Sequence, residues 1–366
     1  MNPVNPVGID TPIGYVDLTR ARANARRVAD YAAQNGFAWR PHIKTHKSLD
    51  VARIQLDAGA RGLTVATLRE AEVMSTLTSD LLLAYPPVGT AKLDRLMRLP
   101  ASLDLKVALD SAEVLASVAA AAVAASRVIG ILVEQDVGLG RVGVQTSADV
   151  VRLATLASSS RGVEFRGLMF YPGHIRMQQD EQGEALKRVH GRLADTYAAL
   201  EAAGLKPDIV SGGSTPTLWH SHAFPYLTEI RSGSCIFFDR EGLAVGSASH
   251  DDLAYTVLAT VVSTAVPGHA VVDSGSKALA KEGRGADGGF GVLFDYPEVE
   301  LVSLSEEHGV LDLSRTRWRP AIGDRVRIVP NHVCVSVNLQ EALLARDGDV
   351  HSMLALEGRG RSPWTG

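Results

Sequence analysis

The sequence predicts an α/β fold in which a (β/α)8 barrel, residues 1–245, precedes a C-terminal antiparallel β domain, residues 246–366. Three observations lead to this fold class. Segments of helical and strand periodicity alternate from about residue 21 to residue 235. Continuous apolar runs such as VIGILV are typical of parallel strands that are covered on both faces. After residue 245 the chain changes to β-rich runs separated by Gly, Pro and Asp.

The predicted barrel elements are short apolar runs that alternate with amphipathic segments. The predicted strands are 37–41, 63–66, 81–85, 103–109, 128–134, 166–171, 208–211 and 227–231. The predicted helices are 21–34, 49–58, 69–77, 92–99, 112–125, 148–158, 182–203 and 217–222. Eight strands set off by helices suit the roughly 250 residues of a (β/α)8 barrel better than the runner-up, a doubly wound open sheet.

The second predicted domain consists of β-rich runs with little helical pattern. The runs are LAYTVLATVVSTAV, HAVVDSG, VLFDYPEVELVSLSEEHGVL and DRVRIVPNHVCVSV. Turn-forming residues separate them, as expected for antiparallel strands. Only the segment 338–346 has a pattern that predicts a helix there.

Composition limits the possible partners and the cellular location. A net charge of -4 and a pI near 6.3 argue against nucleic acid or an anionic membrane as the partner. The two cysteines, Cys235 and Cys334, are too few for a disulfide framework and fit a reducing compartment. The first residues have no basic and apolar regions typical of a signal peptide. We therefore expect a cytoplasmic location.

A basic, imidazole-rich segment, WRPHIKTHKS, spans residues 39–48 at the end of the first predicted strand. Such a cluster suits an anionic cofactor, and its first lysine, Lys44, could hold an aldehyde as a Schiff base. The segment by itself is equally consistent with a solvated basic turn.

In a barrel, functional groups follow the C-terminal ends of strands, and phosphate binds in the loops after strands seven and eight. Arg141 follows the fifth predicted strand, and Tyr171 and His174 follow the sixth. The loops SGGSTPT and EIRSGS follow the last two strands and offer small residues that can cradle a phosphate. Phosphate together with a Schiff-base lysine predicts pyridoxal 5'-phosphate (PLP). The candidate phosphate ligands are Ser211, Gly212, Gly213, Ser214, Thr215, Arg231, Gly233 and Ser234.

The segments RPHIKTHK, GLGRVGV, SGGSTPT, EIRSGS and PNHVC together resemble the D-threonine aldolase and D-serine dehydratase family of alanine-racemase-like PLP enzymes. The resemblance runs from TPIGYVDL to the terminal GRGR. It implies a PLP-bearing barrel with a β domain, usually as a homodimer, that acts on a small D-amino acid.

The resemblance also implies roles for residues of the barrel. Lys44 is the Schiff-base lysine, with Lys47 as its competitor. His42 contacts the cofactor, and Arg141 faces the pyridine nitrogen, where a permanent cation keeps that nitrogen unprotonated. Tyr171 and His174 approach the cofactor or act on substrate protons.

His332 and Cys334 are the candidate metal ligands. If PNHVCVSV is a strand, these side chains share one face and match the ligand preferences of zinc. The residues alone are also consistent with a buried cysteine beside a hydrogen-bonded histidine. The resemblance implies a divalent ion beside the PLP, with zinc favoured over manganese or magnesium.

The residue at position 334 bears on the reaction. The second metal ligand is typically aspartate in the aldolases of this family and cysteine in its dehydratases, so Cys334 narrowly favours a dehydratase (ammonia-lyase) acting on D-serine, D-threonine or 3-hydroxyaspartate. The alternatives are a D-threonine aldolase, an amino-acid racemase and a non-catalytic PLP carrier.

Overall fold

The computed structural model describes residues 8–224, 226–284 and 288–363. The chain divides into two units. The barrel unit comprises Arg26–Gly233 with Glu357–Gly366, and the β unit comprises Met1–Ala25 with Ser234–Leu356. In the sequence analysis the early segment belongs to the barrel domain. It groups with the β unit because strand β1, Ile13–Asp17, pairs with strands of that unit.

Eight parallel strands form the sheet of the barrel unit, and all eight agree with predicted strands. Their order is β2-β9-β8-β7-β6-β5-β4-β3, and a parallel bridge between His42 and Thr64 closes the ring. The strands are β2 Ala38–Trp39, β3 Leu63–Val65, β4 Asp80–Leu83, β5 Asp104–Leu109, β6 Ile129–Gln135, β7 Val163–Phe170, β8 Ile209–Gly212 and β9 Glu229–Ile230.

Helices alternate with these strands, as predicted. They are α1 Leu18–Gln34, α2 Leu49–Asp57, α3 Leu68–Met74, α4 Thr90–Met97, α5 Ala112–Ala124, α6 Ser147–Ser159 and α7 Gly183–Ala202. Side-chain caps explain several helix starts. Thr67 accepts the N–H of Glu70 at 3.1 Å, and Thr146 accepts the N–H of Asp149 at the same distance. The predicted helix 217–222 is a 3₁₀ helix, Leu218–Ala223.

An apolar layer fills the middle of the barrel and consists of Leu82, Ala108, Leu132, Met169 and Ile209. Side chains two positions apart on a strand share a face, so the residues two positions after these lie on the interior side at the C-terminal ends of the strands. We call this end the barrel mouth. The polar residues at these positions are Asp110, Glu134, Tyr171 and Ser211.

The opposite end of the barrel holds a buried network of paired charges, which we call the barrel floor. Arg40, 1% exposed, donates from Nε to Glu229 at 2.9 Å and from Nη2 to Asp80 at 3.0 Å. The ammonium of Lys106 lies 2.6 Å from the same Asp80 carboxylate. Buried charges are tolerated when they are paired and hydrogen-bonded in this way.

The β unit contains a mostly antiparallel sheet, which confirms the predicted fold class. Its order is β13-β14-β11-β10-β1-β16-β17, and β15 pairs with β10 and β12. The strands after the barrel are β10 Tyr255–Ser263, β11 His269–Val272, β12 Gly291–Leu293, β13 Leu301–Leu304, β14 Gly309–Asp312, β15 Arg325–Pro330, β16 Ala342–Asp347 and β17 Val350–Ala355. The short helices are α8 Arg240–Ala244, α9 Ser276–Leu279 and α10 Val333–Leu339.

The helix predicted over 338–346 is wrong. Most of that segment is strand β16, which pairs with β1 on one side and β17 on the other. Periodicity alone cannot distinguish a short apolar run in a buried strand from a piece of buried helix, and here the pairing on both sides decides.

A search of the described residues finds no helix with the length and hydrophobicity that a membrane span requires.

Candidate active site

Lys44 lies in a tight turn directly after β2. The turn is a 3₁₀ helix, Ile43–Thr45, and the Nδ1 atom of His42 accepts the backbone N–H of Lys44 at 3.4 Å. The Lys44 side chain is exposed, and its Nζ lies 6.0 Å from the centre of the Tyr171 ring. Its ammonium forms no ion pair with a carboxylate among the residues that the structure describes. Lys44 is therefore available to an aldehyde.

Lys47 is less suited to that role. Its Nζ lies 3.5 Å from the buried carboxylate of Glu70, so its charge already has a partner. Its backbone also has a φ of 53°, and its carbonyl accepts the N–H of Gly358 at 2.8 Å. These contacts give Lys47 a structural role in the turn.

His42 is a neutral ring beside Lys44. Burial and the positive charges of Lys44 and Arg231 hold the pKa of His42 well below its ordinary value. The unprotonated ring can accept hydrogen bonds, as it does from the Lys44 backbone.

Arg141 is presented by a glycine turn after β6. The Asp136 carboxylate accepts the N–H groups of Gly138 at 3.2 Å, Leu139 at 2.9 Å and Gly140 at 3.1 Å. GLGRVG has the G-x-G-x-x-G spacing of a dinucleotide-binding loop, but α6 begins only at residue 147, so this loop does not open a helix. The guanidinium carbon of Arg141 lies 5.1 Å from the Tyr171 ring centre, so Lys44 and Arg141 both approach this ring.

His174 is exposed and stands over the same glycine turn. A Cβ at Gly138 would come within 3.1 Å of its ring. Burial of part of the ring lowers the pKa of His174, which favours the neutral imidazole. The Tyr171 ring covers Gly173, where a Cβ would overlap it. Tyr171, His174 and Arg141 thus lie together at the barrel mouth.

The two small-residue loops pack too tightly for side chains at several glycines. A Cβ at Gly212 would overlap the Phe170 ring, and one at Gly233 would overlap the His42 carbonyl. Gly213 has a φ of 85°, which glycine adopts readily. Ser214 and Thr215 of the first loop are buried, and the Ser214 hydroxyl lies 3.0 Å from the hydroxyl of Thr217.

Ser211 has a different environment from the one expected of a phosphate ligand. Its hydroxyl donates to Glu229 at 2.7 Å and accepts from Nη1 of Arg231 at 2.9 Å. Nη2 of Arg231 donates to the Phe170 carbonyl at 2.8 Å. The single O–H of Ser211 is therefore committed, and the residue anchors the buried Arg231. The sequence analysis did not identify Glu229, which binds Ser211 and Arg40 at once.

The last residue predicted for the phosphate, Ser234, belongs to the β unit, where it begins a 3₁₀ helix, Ser234–Ile236.

His332 and Cys334 do not lie on a strand, so that part of the prediction is wrong. Strand β15 ends at Pro330, His332 stands at the N-cap position of helix α10, and Cys334 lies in the first turn of that helix. The helix begins here because the Asp239 carboxylate accepts the N–H of Val333 at 2.9 Å. The two side chains are still neighbours, since the Cys334 sulfur interacts with the His332 ring.

Carboxylates surround the His332 ring. Its Nδ1 lies 3.2 Å from Asp239 and 3.6 Å from Glu241. Burial alone lowers the pKa of His332, but the nearby Cys334 and Asp239 raise it to about 12. Over the described parts of the chain, no group of three or more His, Cys, Asp or Glu side chains is arranged to hold a metal ion. The sequence analysis singled out neither Asp239 nor Glu241, because both stand in the segment FDRE, far from His332 in the sequence.

Glu134 is a further residue that the sequence analysis missed. It is the second-last residue of strand β6, at the mouth, and is 4% exposed. Burial raises its pKa to about 7, although the arginines at positions 231 and 141 oppose the shift. The signal available in the sequence was an acidic residue at the end of the apolar run VIGILVE.

Comparisons with known proteins agree with this arrangement. Residues 16–241 match the model of the alanine racemase N-terminal domain, and residues 254–345 match a putative serine dehydratase domain. D-threonine aldolase of Arthrobacter sp. is 34% identical, over 97% of this chain and 94% of its own. D-threo-3-hydroxyaspartate dehydratase of Delftia sp. is 33% identical, over 96% of this chain and 98% of its own.

Solved structures extend the comparison. D-threonine aldolase from Filomicrobium marinum has a TM-score of 0.90 at 30% identity and covers 98% of this chain and 99% of its own. A cysteine-to-alanine mutant of D-threo-3-hydroxyaspartate dehydratase in the metal-free form has a TM-score of 0.86 at 29% identity, over 95% and 98% of the two chains. The chain therefore belongs to the family of alanine-racemase-like, PLP-dependent lyases that includes D-threonine aldolase and D-serine dehydratase.

Proposed function

We propose that this protein is a PLP-dependent, divalent-metal-assisted dehydratase of a small D-3-hydroxy amino acid, with D-serine, D-threonine and 3-hydroxyaspartate as candidates. The products are a 2-oxo acid and ammonia. One observation carries the proposal: Lys44 and Arg141 converge on Tyr171 at the barrel mouth, at 6.0 Å and 5.1 Å from its ring. Functional groups of a barrel enzyme belong at this end of the strands.

The residues at the mouth fit PLP. Lys44 offers an amine with no carboxylate partner among the described residues, and the tight backbone at Gly212 and Gly233 leaves no room for a Cβ. PLP bound there supplies an electron sink for negative charge at the substrate Cα. Ser211 is assigned to anchoring Arg231, and Ser234 stays a prediction. The residues proposed to hold the cofactor are His42, Lys44, Arg141, Tyr171, Gly212, Gly213, Ser214, Thr215, Arg231 and Gly233.

Side chains at the barrel mouth are the proposed acids and bases of the reaction. In this proposal, the amine of Lys44 is the base that would remove the proton from the substrate Cα. The Tyr171 hydroxyl and the neutral ring of His174 are the candidates for holding further substrate protons at the mouth. Arg141, permanently charged, faces the pyridine nitrogen in this proposal.

His332 and Cys334 supply a nitrogen and a sulfur ligand, a donor set that suits zinc better than manganese or magnesium. Asp239, 3.2 Å from Nδ1, occupies the position of the carboxylate that commonly orients a ligating imidazole. A divalent ion supplies Lewis acidity toward the substrate β-hydroxyl. The metal-free form of the cysteine-to-alanine dehydratase mutant supports a metal role for a cysteine in this family.

D-threonine aldolase activity is the second candidate. The 34% identity to the Arthrobacter aldolase and the TM-score of 0.90 to the Filomicrobium aldolase favour it. In that reaction a base takes the proton of the β-hydroxyl, the Cα–Cβ bond breaks, and glycine and an aldehyde form. Cys334 is the residue that favours dehydration instead.

The test is product identification with D-threonine, using the PLP-loaded, Zn²⁺-supplemented protein. We expect 2-oxobutyrate and ammonia, with loss of activity after EDTA treatment and in Lys44→Ala but not in Lys47→Ala. Glycine and acetaldehyde would assign the aldolase reaction. Racemisation that persists after EDTA treatment would identify a racemase. Binding of PLP without turnover of any amino acid would identify a non-catalytic PLP carrier. The homodimer and the cytoplasmic location stay predictions.

A further inference from the structure

Glu134 differs from the other buried acidic side chains. Five carboxylates are less than a tenth exposed, and four of them accept a hydrogen bond from a backbone N–H or from Arg40. The Glu134 carboxyl forms no hydrogen bond and no ion pair with any residue that the structure describes. The four with partners are Glu70, Asp136, Glu229 and Asp239.

The strand pattern places this carboxyl inside the barrel mouth. Leu132 belongs to the interior apolar layer, whereas Val133 packs in a separate cluster that contains residues of α6 and α7. Glu134, two positions after Leu132, therefore faces the interior again. An unpaired polar group in that position costs free energy, which a partner that arrives with a ligand would offset.

Arg141 is a cation without a hydrogen-bond or ion-pair partner among the described residues, as Glu134 is an acid without one. Its guanidinium approaches the Tyr171 ring but forms no hydrogen bond or ion pair within the described parts of the chain. Arg231, the other arginine near Glu134, already donates to Ser211 and to the Phe170 carbonyl. Arg141 is thus the arginine that is free to reorient.

The charged groups that act on Glu134 lie in three loops of the barrel, those that follow β5, β6 and β9. Arg231 and Arg141 stabilise its ionised form, whereas Asp110 and Asp136 disfavour it, and burial adds to their effect. Asp110 and Asp136 are themselves engaged with backbone N–H groups of the glycine turn. Arg231 has the larger effect on the Glu134 pKa, but its hydrogen bonds to Ser211 and the Phe170 carbonyl hold it in place. Arg141, which is exposed, is the counter-charge that can move toward the Glu134 carboxyl.

We propose that Glu134 is a positioning residue that pairs with Arg141 when PLP is bound and holds its guanidinium toward the pyridine ring. The inference rests on the proposed PLP site. It extends that site by one residue that acts through Arg141 rather than on the cofactor.

A double-mutant cycle tests the pairing by PLP affinity, measured as quenching of protein fluorescence at about pH 8, where Glu134 is ionised. The proteins are wild type, Glu134→Gln, Arg141→Gln and the double variant, with Glu201→Gln on the exposed face of α7 as the control. We expect each single variant to bind PLP about tenfold more weakly, and the double variant to bind no more weakly than Arg141→Gln. The control retains wild-type affinity.

Thermal unfolding of the PLP-free proteins separates positioning from a structural role. Because Glu134→Gln removes an unpaired buried charge, its unfolding midpoint should equal or exceed that of the wild type. A lower unfolding midpoint for Glu134→Gln would overturn the pairing. Additive losses of PLP affinity in the double variant would also overturn it, but neither result would contradict the proposed PLP site. A wild-type protein that binds no PLP would overturn the site and the pairing together.

Discussion

The floor of the barrel pairs its buried charges with one another, whereas the mouth combines a buried carboxyl, Glu134, with an exposed cation, Arg141. Arg40 bridges Glu229 and Asp80, and Lys106 binds the same Asp80. At the mouth, Glu134 and Arg141 form no hydrogen bond or ion pair among the described residues. Paired charges serve folding, whereas unpaired charges raise the free energy of the empty site and are typical of positions that bind a ligand.

The largest expected effect is the loss of activity in Lys44→Ala. The exposed side chain has no ion pair in the described parts of the chain, so its removal should leave stability unchanged while abolishing turnover and the visible absorption band of bound PLP. Absorption spectra and thermal unfolding check both parts. Lys47→Ala, which loses a contact to buried Glu70, should show the reverse: weaker stability with turnover retained. Retained turnover in Lys44→Ala would show that Lys44 at the barrel mouth is not required for the reaction.

At the floor, we expect Arg40→Met to lower the free energy of unfolding by about 3–5 kcal/mol, because it leaves Glu229 buried without its cation. Urea unfolding measures this loss. The matched control is Arg152→Ala, which breaks an exposed pair with Asp149 and should leave the free energy of unfolding unchanged. A small effect at Arg40 would show that the floor network is dispensable.

Glu134→Gln should change how stability depends on pH. Because burial raises the pKa of Glu134 from 4.5 to about 7, the folded chain holds this proton more tightly than the unfolded chain. The free energy of unfolding of the wild type therefore falls by up to about 3 kcal/mol as the pH rises from 4.5 to about 7. The variant has no carboxyl at this position and does not show this decrease.

Urea unfolding of the PLP-free proteins at about pH 5 and about pH 8 measures the difference, which should grow with pH in favour of the variant. A difference that is equal at both pH values would contradict the raised pKa.

The smallest expected effect is that of Ser211→Ala. In the wild type, Ser211 links a residue of the floor, Glu229, to Arg231. The substitution removes the hydrogen bonds that join Glu229 to Arg231, at a cost of about 2 kcal/mol in stability. PLP affinity should fall as well, since Arg231 loses one of its two anchors. Calorimetric unfolding and fluorescence titration provide the two readouts. Loss of affinity without loss of stability would restore Ser211 as a direct phosphate ligand.

The sequence was most informative where structure is local. All eight barrel strands and the position of Lys44 after the first of them could be predicted, because apolar runs and amphipathic segments alternate in strict order. It was least informative where two distant segments meet. Strand β16 was predicted as helix because its partners, β1 and β17, are not visible in its own pattern.

By itself, the sequence determined the barrel, the basic turn that carries Lys44, and the loops after the last strands. Tertiary structure decided which charges are paired. Glu229 meets Arg40 from 189 residues away, and Asp239 accepts the N–H of Val333 at the start of a helix. The Glu134 carboxyl forms no hydrogen bond or ion pair among the described residues. The physical reason is that hydrogen bonds and ion pairs act over a few ångströms, so sequence patterns reveal them only when both partners share one element.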